Sequence, residues 1–303
     1  MISIIITTYK ESETLPKAIR AILNQNIKQE YELLVVGPDK KTQEVVREFS
    51  KYPQIKYLKD KGHGKPSALN LAFKKAKGKI LVLTDGDVFI GENVLKRLIE
   101  PFQNDKIGAV SGNPVSLNSK NHILGYWSHF LTNAAHQWRL KGGDFPCSGY
   151  LYGFRDIIKE IPENVLAEDG IITQMIRDKD YQIAYAPEAK VYVKYPNNFK
   201  DWLKQKVRST GGYSQKSQIT NHKSQTNSKS KIQIIKTKKT RSFFQEIKDG
   251  LILFFTYPKT FKEFFYTILL YKARVLLWLI IFWKIKIRKK SFASIWQRVE
   301  STK

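Results

Sequence analysis

The sequence predicts an α/β fold, a mostly parallel sheet with helices on both faces, followed by a hydrophobic and basic helical segment. Three observations predict it. Short apolar runs alternate with stretches of helical period through the first half of the chain. The runs "ISIIITT", "YELLVVG" and "KILVLT" are continuous, as strands covered on both faces are. The charge is lopsided: residues 200–303 hold 24 Lys+Arg against 5 Asp+Glu, a net of +19, whereas residues 1–199 hold 28 against 22, a net of +6.

The elements follow in order. "ISIIITT" opens the chain as a strand; no basic residues precede it, so it does not read as a signal peptide. Leu15, Ile19, Ile22 and Leu23 recur at helical spacing, with Pro16 suited to a first turn. "YELLVVG" is the next strand, Val45, Val46 and Phe49 mark a helix, and "IKYLK" is a short strand. Ala68, Leu69, Ala72, Phe73 and Ala76 form a helix stripe before the strand "KILVLT". A helix through Val94–Phe102 and a strand "GAVSG" come next. In such sheets ligands bind beyond the carboxyl ends of the strands. Asp39, Asp85, Asp87 and the segment "TTYKE" all fall there.

Three regions are expected: a catalytic domain over 1–212, a polar flexible linker over 213–242 and membrane-associated amphipathic helices over 243–303. The linker is rich in Ser, Gln, Asn, Thr and Lys. The last region holds "LILFF", "FFYTILLY" and "VLLWLIIFW", flanked by "KIKIRKK". Its best spanning window, Phe265–Trp283, contains Lys272 and Arg274. The apolar residues contribute roughly −4 to −7 kcal/mol on an insertion scale and two central cations cost about +5 to +7, a sum near zero. A helix lying in the membrane interface, anchored by Trp278, Trp283 and Trp296 with lysines toward anionic headgroups, fits better. A helix pair packed on the protein's own core is the other reading.

Of 303 residues 42% are hydrophobic, room for one large catalytic domain and an appendage. The single Cys147 excludes an intramolecular disulfide and a zinc cluster and suits a reducing compartment. "GHGKPS" is not a phosphate-binding P-loop, because Pro66 holds the Ser/Thr slot.

The chemistry rests on three groups. In "KILVLTDGDV", Asp85 and Asp87 either form an Asp-Gly turn or, as i and i+2 of an extended segment, face one side and hold a hard divalent cation such as Mg²⁺ or Mn²⁺. That cation would act as a Lewis acid on a pyrophosphate leaving group. In "LAEDGIITQMI", Glu168 and Asp169 open a helix, where acids suit the helix dipole and where a carboxylate is also placed to act as a general base. In "WLKQKVR", Gln205 and Arg208 share a helix face that is either a solvated basic surface or a diphosphate clamp.

In their order and spacing these segments resemble family 2 glycosyltransferases, of GT-A fold, over roughly residues 2–212. "SIIITTYKESETLPKAIRAILNQ" is similar to the family's opening strand and helix, "VVGPD" to its second strand end, and "GHGKPSALNLAFKKAKGKILVLTDGDV" to the helix leading into its Asp-x-Asp strand. "IGAVSGNP", "CSGYLYGFR", "LAEDGIITQMIRDKDYQIAYAPEAKVYV" and "QKVR" resemble its later segments. The resemblance implies an inverting hexosyltransferase using a nucleotide-diphosphate sugar, with UDP-sugar the better choice. It implies that Thr8, Tyr9, Glu11 and Asp39 contact the nucleotide, and that Asp85 and Asp87 carry the metal and sugar nucleotide. Lys65, Gln205 and Arg208 would meet the phosphates. Asp169 would be the base, Glu168 would orient it or the acceptor, and Cys147, Ser148 and Gly149 would line the acceptor side. The implied acceptor is a glycan or lipid-linked hydroxyl, and the implied place is the cytoplasmic face of a membrane, peripheral or monotopic.

One departure stands out: the polymerising branch ends its Gln-x-x-Arg motif in tryptophan, and here position 209 is Ser. Single-sugar transfer and polymer synthesis therefore both stand. Two competing functions were weighed. A sugar-phosphate nucleotidyltransferase would show a Gly- and Arg-rich N-terminal loop, which "TTYKESET" is not. A nucleic-acid-binding protein would interleave basic residues with exposed aromatics, whereas the tail aromatics cluster with Leu and Ile, so no nucleic-acid partner is expected.

Overall fold

The computed structural model describes residues 1–142, 145–163, 165, 167–222, 243–283 and 302. The expected strands form as β1 (Ile2–Thr7), β2 (Tyr31–Gly37), β3 (Ile55–Lys59), β4 (Ile80–Asp85) and a longer β6 (Ile107–Ser116). Three further strands are β5 (Phe89–Ile90), β7 (Leu151–Arg155) and β8 (Gln182–Val193). All eight make one sheet in the order β3-β2-β1-β4-β7-β6-β8-β5. β1 pairs in parallel with β2 and β4, β2 with β3, and β6 with β8. β7 is antiparallel to both β4 and β6, and β5 to β8. The reversed β7 begins at the edge where the parallel strands end, which brings the loop before it beside the end of β4.

The apolar runs are continuous because the two faces have separate cores. Ile4, Ile6, Leu33, Val35 and Val82 pack toward α1 (Leu15–Leu23), α2 (Lys40–Arg47) and α4 (Val94–Ile99). Ile5, Leu34, Val36, Leu81 and Leu83 pack toward α3 (Lys65–Lys75) and α6 (Glu168–Arg177). Helix α4 stops three residues short of the expected Phe102. Glu100–Gln103 is a 3₁₀ turn, consistent with Pro101, which has no amide to continue an α-helical ladder.

Helix α5 (Ile123–Leu140) leaves the sheet to form a second layer with α7 (Phe199–His222), α8 (Phe243–Thr256) and α9 (Phe261–Phe282). Helix α7 runs on to His222, past the boundary expected at 212, because Ser, Gln, Thr and Lys are tolerated in a helix and polar composition alone does not end one. The expected linker residues 223–242 lie outside the described residues, as do Trp296 and "KIKIRKK".

Helix α9 has two faces. Leu270, Ala273, Leu277 and Ile281 are buried, in clusters with Phe130 and Trp202 or with Val207. Tyr126 Oη and Thr267 Oγ1 share a hydrogen bond of 2.7 Å, and Trp127 Nε1 donates to the Tyr266 carbonyl at 2.8 Å. Phe265, Val275, Leu276, Leu279, Phe282 and Trp283 face outward and are exposed. The packed face makes a direct prediction. Leu277→Ala, in a fully buried site, should lower unfolding stability by about 2–5 kcal/mol through lost transfer energy and a residual cavity. A urea titration reads it. A midpoint equal to that of the parent would mean that α9 does not pack on α7 in solution.

Candidate active site

The register of β1 on β4 sets Thr7 opposite Asp85. Thr7 Oγ1 then donates to Asp85 Oδ1 at 3.0 Å, fixing the carboxylate at the strand end. Lys65, the first residue of α3, reaches across with Nζ 2.7 Å from Asp85 Oδ1 and 2.8 Å from Glu168 Oε1. A cation at a helix N-terminus opposes the helix dipole, so these carboxylates are what hold it there. Burial pushes the Lys65 ammonium pKa down, but Asp85 and Glu168 more than reverse that, leaving it well above the ordinary lysine value. One ammonium thus ties together the ends of β4, α3 and α6.

Gly86 is required by close approach. A Cβ there would stand 2.9 Å from both Thr8 Oγ1 and Glu11 Oε2, so the loop after β1 lies directly on the Asp85-Gly86-Asp87 turn. Asp87 lines the same cleft as Asp85. Gly86 and Asp87 form a turn after β4, so the segment is not extended as the i and i+2 reading expected, yet both aspartates line one cleft.

Glu168 and Asp169 form the first turn of α6, as expected. Asp169 Oδ1 accepts from the Gly170 amide at 2.7 Å, while Oδ2 faces Gly149, whose added Cβ would lie 3.1 Å away. The base candidate therefore abuts the loop before β7. In that loop Ser148 and Gly149 line the cleft, but Cys147 does not. Its side chain is 1% exposed, within the core on the α3 and α6 side of the sheet, and burial pushes its thiol up to about 11. The acceptor-side expectation for Cys147 is corrected on this point: it lies behind the loop rather than at the surface of the cleft.

Asp39 caps α2, accepting from the Thr42 amide at 2.9 Å, the Thr42 hydroxyl at 2.9 Å and the Lys10 amide at 3.2 Å. Burial pushes its pKa up, but these bonds outweigh it and hold the carboxyl below the usual aspartate value. It is the neighbouring Pro38 and Asp60, with Thr8, Tyr9 and Glu11, that line this end of the cleft. Asp60, just past β3, was not singled out from the sequence. Burial raises its pKa despite the Gly62 amide that it accepts from.

Gln205 and Arg208 of α7 also line the cleft. Gln205 Nε2 donates to Tyr150 Oη at 3.5 Å, and Thr84 Oγ1 donates to the Tyr150 carbonyl at 3.0 Å. Burial raises the Tyr150 hydroxyl to about 12, with Arg208 acting against it and Asp87 and Asp85 with it. Tyr150 meets Tyr195 edge-on, with ring centroids 5.9 Å apart. Neither tyrosine was singled out from the sequence.

Apart from Asp39 and Cys147, the expected site residues surround one cleft of about 1340 Å³. Among the described residues, no three His, Cys, Asp or Glu side chains form a closed metal cage. The pair Asp85 and Asp87 instead fits Mg²⁺ or Mn²⁺, which keep positions open for phosphate oxygens and water. Asp85 and Glu168 already engage the Lys65 ammonium, and Arg208 lines the same cleft, so a divalent ion would add positive charge where the carboxylates cluster.

Three comparisons bear on this site. A family model described as "Glycosyl transferase family 2" matches residues 3–162. Among curated proteins, the chain is 28% identical over 226 residues to a poly-beta-1,6-N-acetyl-D-glucosamine synthase of Staphylococcus epidermidis, covering 70% of this chain and 54% of that one. It is 28% identical over 231 residues to the probable glycosyltransferase YdaM of Bacillus subtilis, again covering 70% of this chain and 54% of that one. The match thus spans about half the length of these relatives. Among solved structures, the mannosyltransferase PcManGT of Pyrobaculum calidifontis, in complex with GDP-Man and Mn²⁺, has a similar fold, with a TM-score of 0.57 at 16% identity over 97% of this chain and 82% of that chain.

The bridging lysine gives a stability prediction. Lys65→Met leaves Asp85 and Glu168 facing one another without this cation. Both side chains are less than a quarter exposed, so the loss should fall between about 1 kcal/mol for an exposed pair and about 3–5 for a buried one. Urea midpoints of parent and variant at pH 7 test it. Equal midpoints would mean that the two ion pairs add nothing to stability.

Proposed function

The chain belongs to glycosyl transferase family 2, and on that premise we propose that it moves a sugar from a nucleotide-diphosphate sugar, a UDP-sugar, to a hydroxyl of a glycan or lipid-linked acceptor with inversion. The observation that carries this is the meeting of Asp85 and Asp87, Lys65, and Glu168 and Asp169 in one cleft. Thr8, Tyr9 and Glu11 receive the nucleoside, with Asp39 shaping the loop through the Lys10 amide. Lys65, Gln205 and Arg208 meet the diphosphate. Asp85 and Asp87 would hold Mn²⁺ or Mg²⁺, which supplies Lewis-acid stabilisation of the leaving diphosphate.

The acceptor lies along Ser148 and Gly149. Its hydroxyl oxygen bonds to the anomeric carbon, the bond from that carbon to the diphosphate oxygen breaks, and the electron pair leaves with the nucleoside diphosphate. The hydroxyl proton passes to Asp169. Glu168, held by Lys65, orients this end of the cleft. Ser209, which stands on the cleft wall in place of a tryptophan, leaves no ring there on which a growing polymer would stack. That favours transfer of single sugars.

Release of UDP from UDP-N-acetylglucosamine and other UDP-sugars, with and without Mn²⁺, tests the reaction. Asp87→Ala should abolish metal-dependent turnover. Asp169→Asn should lower it by about 10²–10⁴-fold, the usual worth of a general base, while UDP binding is retained. A normal rate with only a small stability loss in Asp169→Asn would reduce this residue to a helix-stabilising acid.

We propose a position at the cytoplasmic surface of a membrane, a reading supported by the exposed apolar residues Leu251, Ile252 and Phe255 of α8 and Val275, Leu276, Leu279 and Phe282 of α9. Helix α9 alone among the described helices has the length and apolarity to cross one, but its inner face is already packed on α5 and α7. Full-length protein should co-sediment with anionic liposomes, with high salt weakening the electrostatic part, about 1 kcal/mol per cation, and sparing the apolar part. Protein that ignored liposomes and bound RNA or DNA tightly would reverse the assignment of partner.

A further inference from the structure

The bridge of Asp85, Lys65 and Glu168 stands on one face of the sheet. In β4, Leu81 and Leu83 point into the core shared with α3 and α6, and Asp85, two residues further on, points the same way. Residues directly opposite one another in an antiparallel pair share a face, and β7 sets Tyr152 opposite Leu83. Tyr152 therefore stands one pleat back from Asp85 on the neighbouring strand, between the helices that begin with Lys65 and Glu168. Packing holds its ring there. It is 1% exposed, lies in one cluster with Leu69 of α3 and Ile172 of α6, and stacks on Phe154 with ring centroids 6.0 Å apart.

The Tyr152 hydroxyl is buried and has no hydrogen-bond partner among the described residues. Leaving such a group unbonded costs about 1–3 kcal/mol, and a phenylalanine would fill the same core without that cost. Tyr152 is not part of the cleft lining, so it meets neither donor nor acceptor directly. Burial, and then the nearby Glu168, Asp169, Cys147 and Asp85, hold its pKa well above the ordinary tyrosine value. It is thus a protonated donor set beneath the acidic cluster.

In the free protein Glu168 has a stronger partner, the Lys65 ammonium at 2.8 Å. A diphosphate in the cleft draws on that same ammonium and weakens the bond to Glu168, whose side chain is only 12% exposed. A carboxylate so placed needs another donor to stay ionised and fixed. We propose that Tyr152 is a positioning residue: its hydroxyl donates to Glu168 when the donor diphosphate engages Lys65, and so keeps the first turn of α6, with Asp169, in place. The ring is locked by its packing, so the Glu168 carboxylate turns to meet it. The proposal rests on the transferase reading and adds to it a residue that acts through Glu168.

Tyr152→Phe removes the hydroxyl and keeps the ring. Urea unfolding without ligand and UDP binding in Mn²⁺ are measured on the full-length protein. Without ligand the variant should unfold at the parent's urea midpoint or above it, because no bond is lost. It should bind UDP about tenfold more weakly, about 1.4 kcal/mol. A tyrosine that serves structure alone would not give this split. In a Glu168→Gln background the same change should alter UDP affinity by less than about twofold, because the two residues act as one unit. A midpoint well below the parent's would mean that the hydroxyl is already bonded in the free protein, and would overturn the proposal. An equal tenfold loss in both backgrounds would overturn Glu168 as its partner. A parent that binds UDP, beside a Tyr152→Phe protein that binds it equally well, overturns this proposal alone. A parent that does not bind UDP overturns the transferase reading beneath it.

Discussion

The ammonium of Lys65 between Asp85 and Glu168 is the contact on which the rest of the site depends. Three segments far apart in sequence end at this point: β4, the start of α3 and the start of α6. Each group is badly placed without the others. Lys65 opposes the dipole of its own helix, and the two carboxylates face each other. Together they form a partly buried triad in which the desolvation of each charge is offset only if all three are present. The arrangement also suits a binding cleft. On the proposed reading, an entering diphosphate meets an ammonium already positioned and ionised, so little reorganisation accompanies binding.

The sheet explains why these groups meet. The carboxyl ends of β1, β2, β3 and β4 lie along one edge, the usual place for ligands in parallel sheets. The one reversal in the middle, β7, begins at the same edge and pairs Leu151 with Thr84. The Ser148–Tyr150 loop is thereby set against Asp85 on one side and Asp169 on the other. Close packing is bought with glycine at two points, Gly86 under Glu11 and Thr8, and Gly149 under Asp169. A side chain at either would push the acidic groups off the turn that aligns them.

What could be read from the sequence divides along physical lines. β1, β2 and β4 were legible because burial on both faces leaves an unbroken apolar run. β5 was not, because two residues carry no periodicity, and β7 and β8 mix aromatic, polar and glycine residues that only their neighbours make strand-like. That Asp85, Asp87, Glu168 and Asp169 would come together at one cleft was legible because acidic pairs stand at element ends, and Lys65 joined them through the family resemblance. Tyr150, Tyr195 and Asp60 were not, because their place in the cleft comes from contacts across the sheet. Cys147 shows the limit in the other direction. Its motif neighbours line the cleft, yet its own side chain turns into the core, and the neighbouring motif residues do not reveal that orientation.

The C-terminal helices carry the same lesson in their energetics. From composition alone, Phe265–Trp283 sits at the balance point between spanning a membrane and staying out of it. The structure sets the two cations in different surroundings. Lys272 is exposed and Arg274 lines the cleft, so the helix presents different chemistry on its two sides. A spanning α9 would have to give up the burial of Leu270, Ala273, Leu277 and Ile281 and the hydrogen bonds to Tyr126 and Trp127. It would also carry Lys272 into hydrocarbon at about 2.5–3.5 kcal/mol near the centre. A helix lying at the interface keeps every one of those contacts and gives lipid only the outward row of Val275, Leu276, Leu279, Phe282 and Trp283.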